Sequence, residues 1–590
     1  PPPVDVYDSL DIDAVTFGAD VSRRSLRRFG ADEDFDRTRV ISGVITSPAT
    51  SAAPEAPAEG SLRRASIVMA AGTMVSRILG FVRTYLLTVI AAGTSLTLDA
   101  FQAANTLPNV VFILLSAGVL NAILIPQITR AMKQPDGGQE FVDRLLTVSF
   151  ASVLVVTTVA TLASPWLLDL YFSSSGATRH LTIFFGFICM PQIFFYGLYA
   201  ILGQVLNARN QFAAFMWSPV LANVIQIAGL VWFLVQFGAH PDPATWTPEM
   251  VWVLAGTTTL GIIIQGLFLI IPLHRGGFRW RPRWGIRGYG LGAAARITVW
   301  TFTALVIAQF AGIIMKKMLS HVRLVHPEVS SSISAYDNAF LIFMLPQSFI
   351  TTSILTALFP RMSRANADGN NSAMKKLLRQ GLEMPALAII PCSLAMVVLA
   401  RPGVQTVFSL EPGQVGSLAR AVAVMGVGLL PFGIATLQQR YCFAREDGKL
   451  NLIMQAVTTG VQLIILVTMF VFPPQHALVV VAAAQTIANL VGAVAWLVVA
   501  SRQLGGIGMG EVNRLWTKLA VASIVAAVPT YLVAHGIDAA GHGAWVGHAG
   551  GTLIGGVLFV ALFLVLAKIL RIVEVLDLLN PMLRKVMRRS

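Results

Sequence analysis

"LPNVVFILLSAGVLNAILIPQITR", residues 107–130, has a counterpart in "LPQSFITTSILTALFPRMSR", residues 345–364. Each opens on Leu-Pro and an amide, runs through apolar residues and closes on Pro-x-x-x-Arg, at Pro126–Arg130 and Pro360–Arg364. A second pair follows in the same order. Pro191 precedes "LNARNQF" (206–212), and Pro431 precedes "FAREDGK" (443–449). Both matches are offset by about 240 residues, which marks an internal duplication.

Composition says what is duplicated. The 590 residues are 55% hydrophobic and 12% charged, with a mean hydropathy of +0.70. A soluble domain carries about 25% charged residues. From residue 65 onward, fourteen apolar runs of about 20 residues or more succeed one another, each long enough to cross a bilayer. With no water to satisfy the backbone in lipid, each run must be helical. The offset of the duplication is six runs, an even number, so the two halves share one orientation. The predicted fold is an all-α polytopic membrane protein with two parallel six-helix lobes around a central cavity. Runs 13 and 14 are left over. The expected divisions are a disordered cytoplasmic tail at 1–62, an N-lobe at 63–287, a C-lobe at 288–502, the last two helices at 503–572 and a basic tail at 573–590.

Loop charge orients the bundle. The connections near 92–98, 238–249, 473–476 and 536–544 hold no Lys or Arg. The alternate connections are basic, as at Arg275, Arg279, Arg281, Arg283 and Arg287. Positive-inside logic places both termini in the cytoplasm of a multi-pass inner-membrane protein. The net charge of +14 then reads as loops held against anionic lipid, not as a nucleic-acid surface. "FRWRPRW" (278–284) mixes Arg and Trp as a lipid headgroup contact would. The chain opens without Met, so an upstream segment is expected; no cleavable signal peptide is visible.

Enzyme chemistry has no foothold. There is no HExxH, P-loop or GxSxG. "GIRGYGLG" (285–292) lacks the preceding strand that a phosphate loop needs. Cys189, Cys392 and Cys442 are scattered in apolar segments, and no His, Cys and carboxylate cluster has metal spacing. Neither a cofactor nor a metal is expected.

Charges inside the runs remain. Arg77 and Arg83 lie in run 1, in "SRILGFVRTYLL" (76–87), and arginine cannot shed its charge. Six residues place them about 120° and about 9 Å apart, so both fit only a wide cavity. Arg77 alternatively pairs with a carboxylate, and Arg83 alternatively anchors at the outer interface. Asp99, at the start of run 2, is either a helix N-cap or a partner for an arginine across the cavity. Lys316 and Lys317 occupy the outer part of run 7, and Asp337 opens run 8 at the place equivalent to Asp99. Adjacent lysines cannot both face the cavity. Each lobe thus offers cations on its first helix and a carboxylate near the start of its second, an arrangement suited to a pyrophosphate headgroup. Gly80, Pro108, Pro346 and Pro431 would let their helices bend, or serve close packing.

"SRILGFVR", "DAFQAANTLPN" and "IPQITR", with "LNARNQFAAFMWSPVLANV" and "FAREDGKLNL", resemble the MurJ/MviN family of lipid II flippases, within the multidrug and lipid-linked oligosaccharide exporter superfamily. The resemblance covers about residues 65 to 570. It implies export of undecaprenyl-pyrophosphate-linked muropeptide for peptidoglycan synthesis by alternating access, coupled to membrane potential or a monovalent ion. It also implies partners among cell-wall synthesis or divisome proteins. Arg77 and Arg83 match the family's first-helix arginines, and Asp99 its acidic residue at the start of the second helix. Two cation sites are missing: Phe112 and Ile113 follow the run 2 proline, and Phe340 and Leu341 precede the run 8 proline. Lys316 and Lys317 are expected to compensate. The alternatives are an exporter of another cargo in the same superfamily, or a scaffold that kept the fold without transport. The long polar N-terminal segment and basic end resemble actinobacterial members, some of which continue into a cytoplasmic pseudokinase.

Overall fold

The computed structural model describes residues 59–115, 139–209, 211–285, 292–327, 329–408, 410, 412–541 and 545–575. The "IPQITR" motif, most of "GIRGYGLG", nearly all of the N-terminal tail and the end of the basic tail lie outside the described residues. Among these residues thirteen helices are long and apolar enough to cross a membrane, and a bent pair supplies a fourteenth.

In the N-lobe these are α1 (Glu59–Ile90), α2 (Leu96–Leu115), α3 (Gln139–Leu162), α4 (Gly176–Asn207), α5 (Phe212–Gln236) and α6 (Pro248–Arg275). The C-lobe has α7 (Gly292–Val325), α8 (Ile333–Ala367), α9 (Asn371–Val398), α10 (Gly413–Val427 with Leu429–Ala444), α11 (Gly448–Phe470) and α12 (Ala477–Leu504). Then come α13 (Met509–Ala540) and α14 (Trp545–Ile569). Gly505, at φ 65°, ends α12 in the left-handed conformation that a side chain would strain.

Packing repeats with the sequence. α2 packs on the first half of α4, as α8 does on the first half of α10. The second half of α4 receives α3, as that of α10 receives α9. α5 lies against α6 as α11 does against α12. A short helix joins α3 to α4 (Ser164–Tyr171), and another joins α9 to α10 (Ala400–Val407).

Proline explains the breaks. α10 bends by 51° between Val427 and Leu429. The ring of Pro431 lacks an N–H and clashes with the carbonyl four residues back, which is Val427. In α4 regular helix stops at Cys189 and resumes at Gln192 around Pro191, the residue equivalent to Pro431. In α8, Pro346 is followed at once by a π-turn over Gln347–Thr351. Pro108 is buried within the continuous helix α2. A Cβ on Gly80 would meet nothing within 4 Å, so close packing does not require that glycine.

Candidate functional site

α1 is held to α5 by polar contacts. Asn223 Nδ2 donates to the carbonyl and hydroxyl oxygens of Ser76 at 3.0 and 3.2 Å. One turn further along α5, Gln226 Oε1 accepts from Arg83 Nη1 at 3.0 Å. Arg83 is half-buried, and its Nε is buried without a partner. Gln226 lies ten residues inside the end of α5, about 15 Å along its axis, so Arg83 points into the lobe.

Arg77 has a different setting. It is exposed, although it lies thirteen residues, about 20 Å, before the end of α1 at Ile90. Its guanidinium carbon stands 5.8 Å from the centroid of the Phe349 ring, in the π-turn of α8. Arg77 therefore reaches from one lobe to an exposed aromatic ring of the other. No carboxylate pairs with it among the described residues.

The other predicted residues gather where the lobes meet, at the end holding the α1–α2 connection. Asp99 is 1% exposed. It does not cap its own helix: its Oδ1 accepts the backbone N–H of Ser334 in the first turn of α8, at 2.8 Å. Ser332 caps α8 from within the C-lobe, accepting from the N–H of Ala335 at 3.0 Å. One lobe thus places a carboxylate on the positive end of the other lobe's helix. Asp99 Oδ2 also lies 3.7 Å from Arg323 Nε at the end of α7.

Beside it, Lys316 Nζ is 2.8 Å from Asp337 Oδ1 and 2.9 Å from Oδ2. The same ammonium sits 5.6 Å over the ring of Tyr171, in the N-lobe's first short helix. Lys317 Nζ donates to the backbone carbonyl of Asp169 in that helix. The N–H of Ser173 donates to Ser320 Oγ at 2.8 Å, and the N–H of Thr94 to Gln414 Oε1 at 3.0 Å. Ile333 of α8, fully buried, packs into the apolar cluster of the N-lobe. In this arrangement neither lysine is a free cation, and Asp337 is already paired. Lys316 is buried while Lys317 is half-buried, as their adjacency on α7 requires.

Sequence reasoning did not single out Arg323, Ser334 or Phe349. Arg323 had a signal: it lies seven residues after Lys316, two turns along the same face of α7. Aromatic stacks occupy the places where the resemblance led us to expect extra cations. Phe112 stacks on Tyr196 at 5.9 Å between centroids, and Phe340 on Tyr336 at 5.9 Å.

Comparison with known proteins agrees with this architecture. Residues 89–544 match the family described as lipid II flippase MurJ. A "Probable lipid II flippase MurJ" of Rhizobium meliloti is 25% identical over 435 residues, covering 71% of this chain and 77% of that protein. One of Vibrio cholerae is 24% identical over 404 residues, covering 66% and 74%. A solved lipid II flippase MurJ in an inward closed conformation superposes with a TM-score of 0.65 at 18% identity, over 85% of this chain and 98% of that one. An inward-facing multidrug resistance MATE transporter of the MOP superfamily superposes with a TM-score of 0.58 at 16% identity, over 75% and 98%. The family is one of transporters, not enzymes. With a family match across most of its length and the same two-lobed helical fold, this multi-pass membrane protein belongs to the lipid II flippase MurJ family.

Proposed function

We propose that this chain carries undecaprenyl-pyrophosphate-linked muropeptide from the inner to the outer leaflet of the cytoplasmic membrane by alternating access. Both of its termini face the cytoplasm in this reading. The seam of Asp99, Arg323, Lys316 and Asp337 acts as the outer gate, closed here, and the cavity opens inward. One observation carries the proposal: Arg77 is exposed about 20 Å from the outer end of α1, over Phe349 of the opposite lobe. A permanent charge at that depth calls for water or an anionic ligand around it. Arg77 is the first contact for the pyrophosphate, and Arg83 stiffens α1 from behind through Gln226.

When the gate parts, Lys316 and Lys317 lose Tyr171 and the Asp169 carbonyl and become available to the departing headgroup. Asp99 and Asp337 then compete with that headgroup for the same cations and help release it. Gly80 and the π-turn after Pro346 supply the bending of α1 and α8. Fixed charges on α1 and α7 lie within the membrane field, so membrane potential biases the exchange.

The test is depletion of the resident flippase in a bacterial host, complementation with this chain, and assay of lipid II exposed on the outer leaflet. Restored exposure by the wild type and none by Arg77→Ala is expected. Equal exposure with Arg77→Ala would sink the role of Arg77. Lipid II confined to the inner leaflet even with the wild-type chain would favour a scaffold that kept the fold without transport, as the aromatic stacks at Phe112 and Phe340 would allow.

A further inference from the structure

The flank of the N-lobe carries a groove of about 720 Å³, remote from the seam. Its walls are hydrocarbon: Leu146, Phe150 and Leu154 from α3, Phe194 and Leu198 from α4, and Ile270 from α6. Its roof is the extended strap Phe278–Trp284, which leaves α6 and runs back over α3. The strap is pinned by polar groups. The N–H of Arg281 donates to Asp143 Oδ1 at 3.2 Å, and the N–H of Arg283 and Trp280 Nε1 donate to Thr147 Oγ1 at 3.0 and 3.3 Å. Asp143 and Thr147 are 2% and 6% exposed. Trp280 also meets Phe150 edge to face, with centroids 5.4 Å apart.

The arginines of the strap add charge to these apolar walls. Arg279 lines the groove, and Arg275, Arg281 and Arg283 are exposed on the same stretch of chain, where Arg283 approaches Glu140 at 3.3 Å. Ordinary lipid-facing helix surface is convex and apolar throughout. This surface is concave and roofed, with guanidinium groups and indoles along one lip. It complements a molecule that has one apolar chain and a compact anionic head.

We propose that the groove binds one anionic phospholipid, with an acyl chain between α3, α4 and α6 and its phosphate on Arg279 and Arg281. The strap is part of the covalent link from the N-lobe to α7, so a bound lipid holds that link against the N-lobe. The proposal does not depend on what the central cavity carries.

The test uses the purified full chain, exchanged into phosphatidylglycerol or phosphatidylcholine and examined by native mass spectrometry. One retained phosphatidylglycerol and no retained phosphatidylcholine is expected. R279Q/R281Q should reduce phosphatidylglycerol retention about thirtyfold, as loss of two interfacial charges implies. The backbone bonds that pin the strap survive that substitution. Ala151→Trp, which fills the groove from α3, should abolish retention at an unchanged melting temperature; Leu154→Trp at the rim repeats the test if the first variant melts early. Equal retention of both phospholipids would overturn the proposal. So would displacement of phosphatidylglycerol by equimolar undecaprenyl phosphate, which would assign the groove to the cargo's chain.

Discussion

Asp99 of α2 accepts the backbone N–H of Ser334 in α8 at 2.8 Å, so the start of one lobe's second helix caps the start of the other's. Arg323 adds charge but imperfect geometry: it lies 3.7 Å away, and its Nε and Nη1 are buried without hydrogen-bond partners. Asp99→Asn keeps an acceptor for Ser334 and removes the charge opposite Arg323. Asp99→Ala removes both. Leaving buried donors unsatisfied costs about 1–3 kcal/mol each, so Ala should open the seam more than Asn. Spin-label distances between the exposed positions 177 and 321 would report this. Unchanged distances in both variants would contradict a gating role.

Lys316 and Asp337 form a closer pair, with Lys316 buried. Removing one partner of a buried pair costs about 3–5 kcal/mol, whereas replacing both by apolar residues is often neutral. Asp337 is partly exposed, so the lower end of that range is expected here. Lys316→Met should lower the melting temperature in detergent, and Lys316→Met with Asp337→Leu should recover most of the loss. Equal melting of the single and double variants would mean the two side chains are not coupled.

Arg77 stands on exposed surface, so its substitution should spare stability. Arg77→Lys keeps the charge but loses the planar fork that suits pyrophosphate. Its expected export lies between wild type and Arg77→Ala. Phe349→Leu removes a cation–π contact of about 0.5–1 kcal/mol. A few-fold change in export, with no change in melting, is expected. Export by Phe349→Leu as poor as that of Arg77→Ala would assign the ring a larger role than positioning.

The short helix at the seam should be indifferent to pH near neutrality. Arg179 binds Asp169 at 2.9 and 2.7 Å and holds its carboxyl below the usual carboxylate range. A depressed folded-state pKa contributes stability that is complete above the unfolded value, about 3.9, and is lost as pH falls below it. Amide exchange over residues 169–173 should therefore be flat from pH 5 to 8, apart from intrinsic rates. A protection change within that window would point to another titrating group. Both side chains are about 40% exposed, so the energetic contribution is small.

Much of the fold was legible because lipid removes choices. A run of about 20 apolar residues has to become a helix there, and among the described residues thirteen spans and one bent pair did. The bend at Val427 follows from Pro431, but its size of 51° does not, since neighbouring packing sets the angle. The two short helices were missed because eight residues carry too little pattern to stand out between long apolar runs. Asp99, Lys316 and Asp337 stood out in the sequence as charges within apolar runs, but their pairings did not. The choice of Ser334 over any other N–H depends on how two lobes dock, and no local spacing encodes that.

The short helices have diverged by partner. Ser164–Tyr171 turns towards α7 and lends Asp169 to the seam, as does Ser173 just beyond it. Ala400–Val407 packs instead on α14, where Thr406 meets the Thr552 hydroxyl at 3.0 Å and its carbonyl accepts from Trp545 Nε1 at 3.2 Å. α13 rests on α9 of the same lobe. Among the described residues the appended pair thus packs chiefly on the C-lobe. Rocking would drag eight helices through lipid on one side and six on the other. Viscous drag would then make the six-helix side the mobile arm and the eight-helix side the keel.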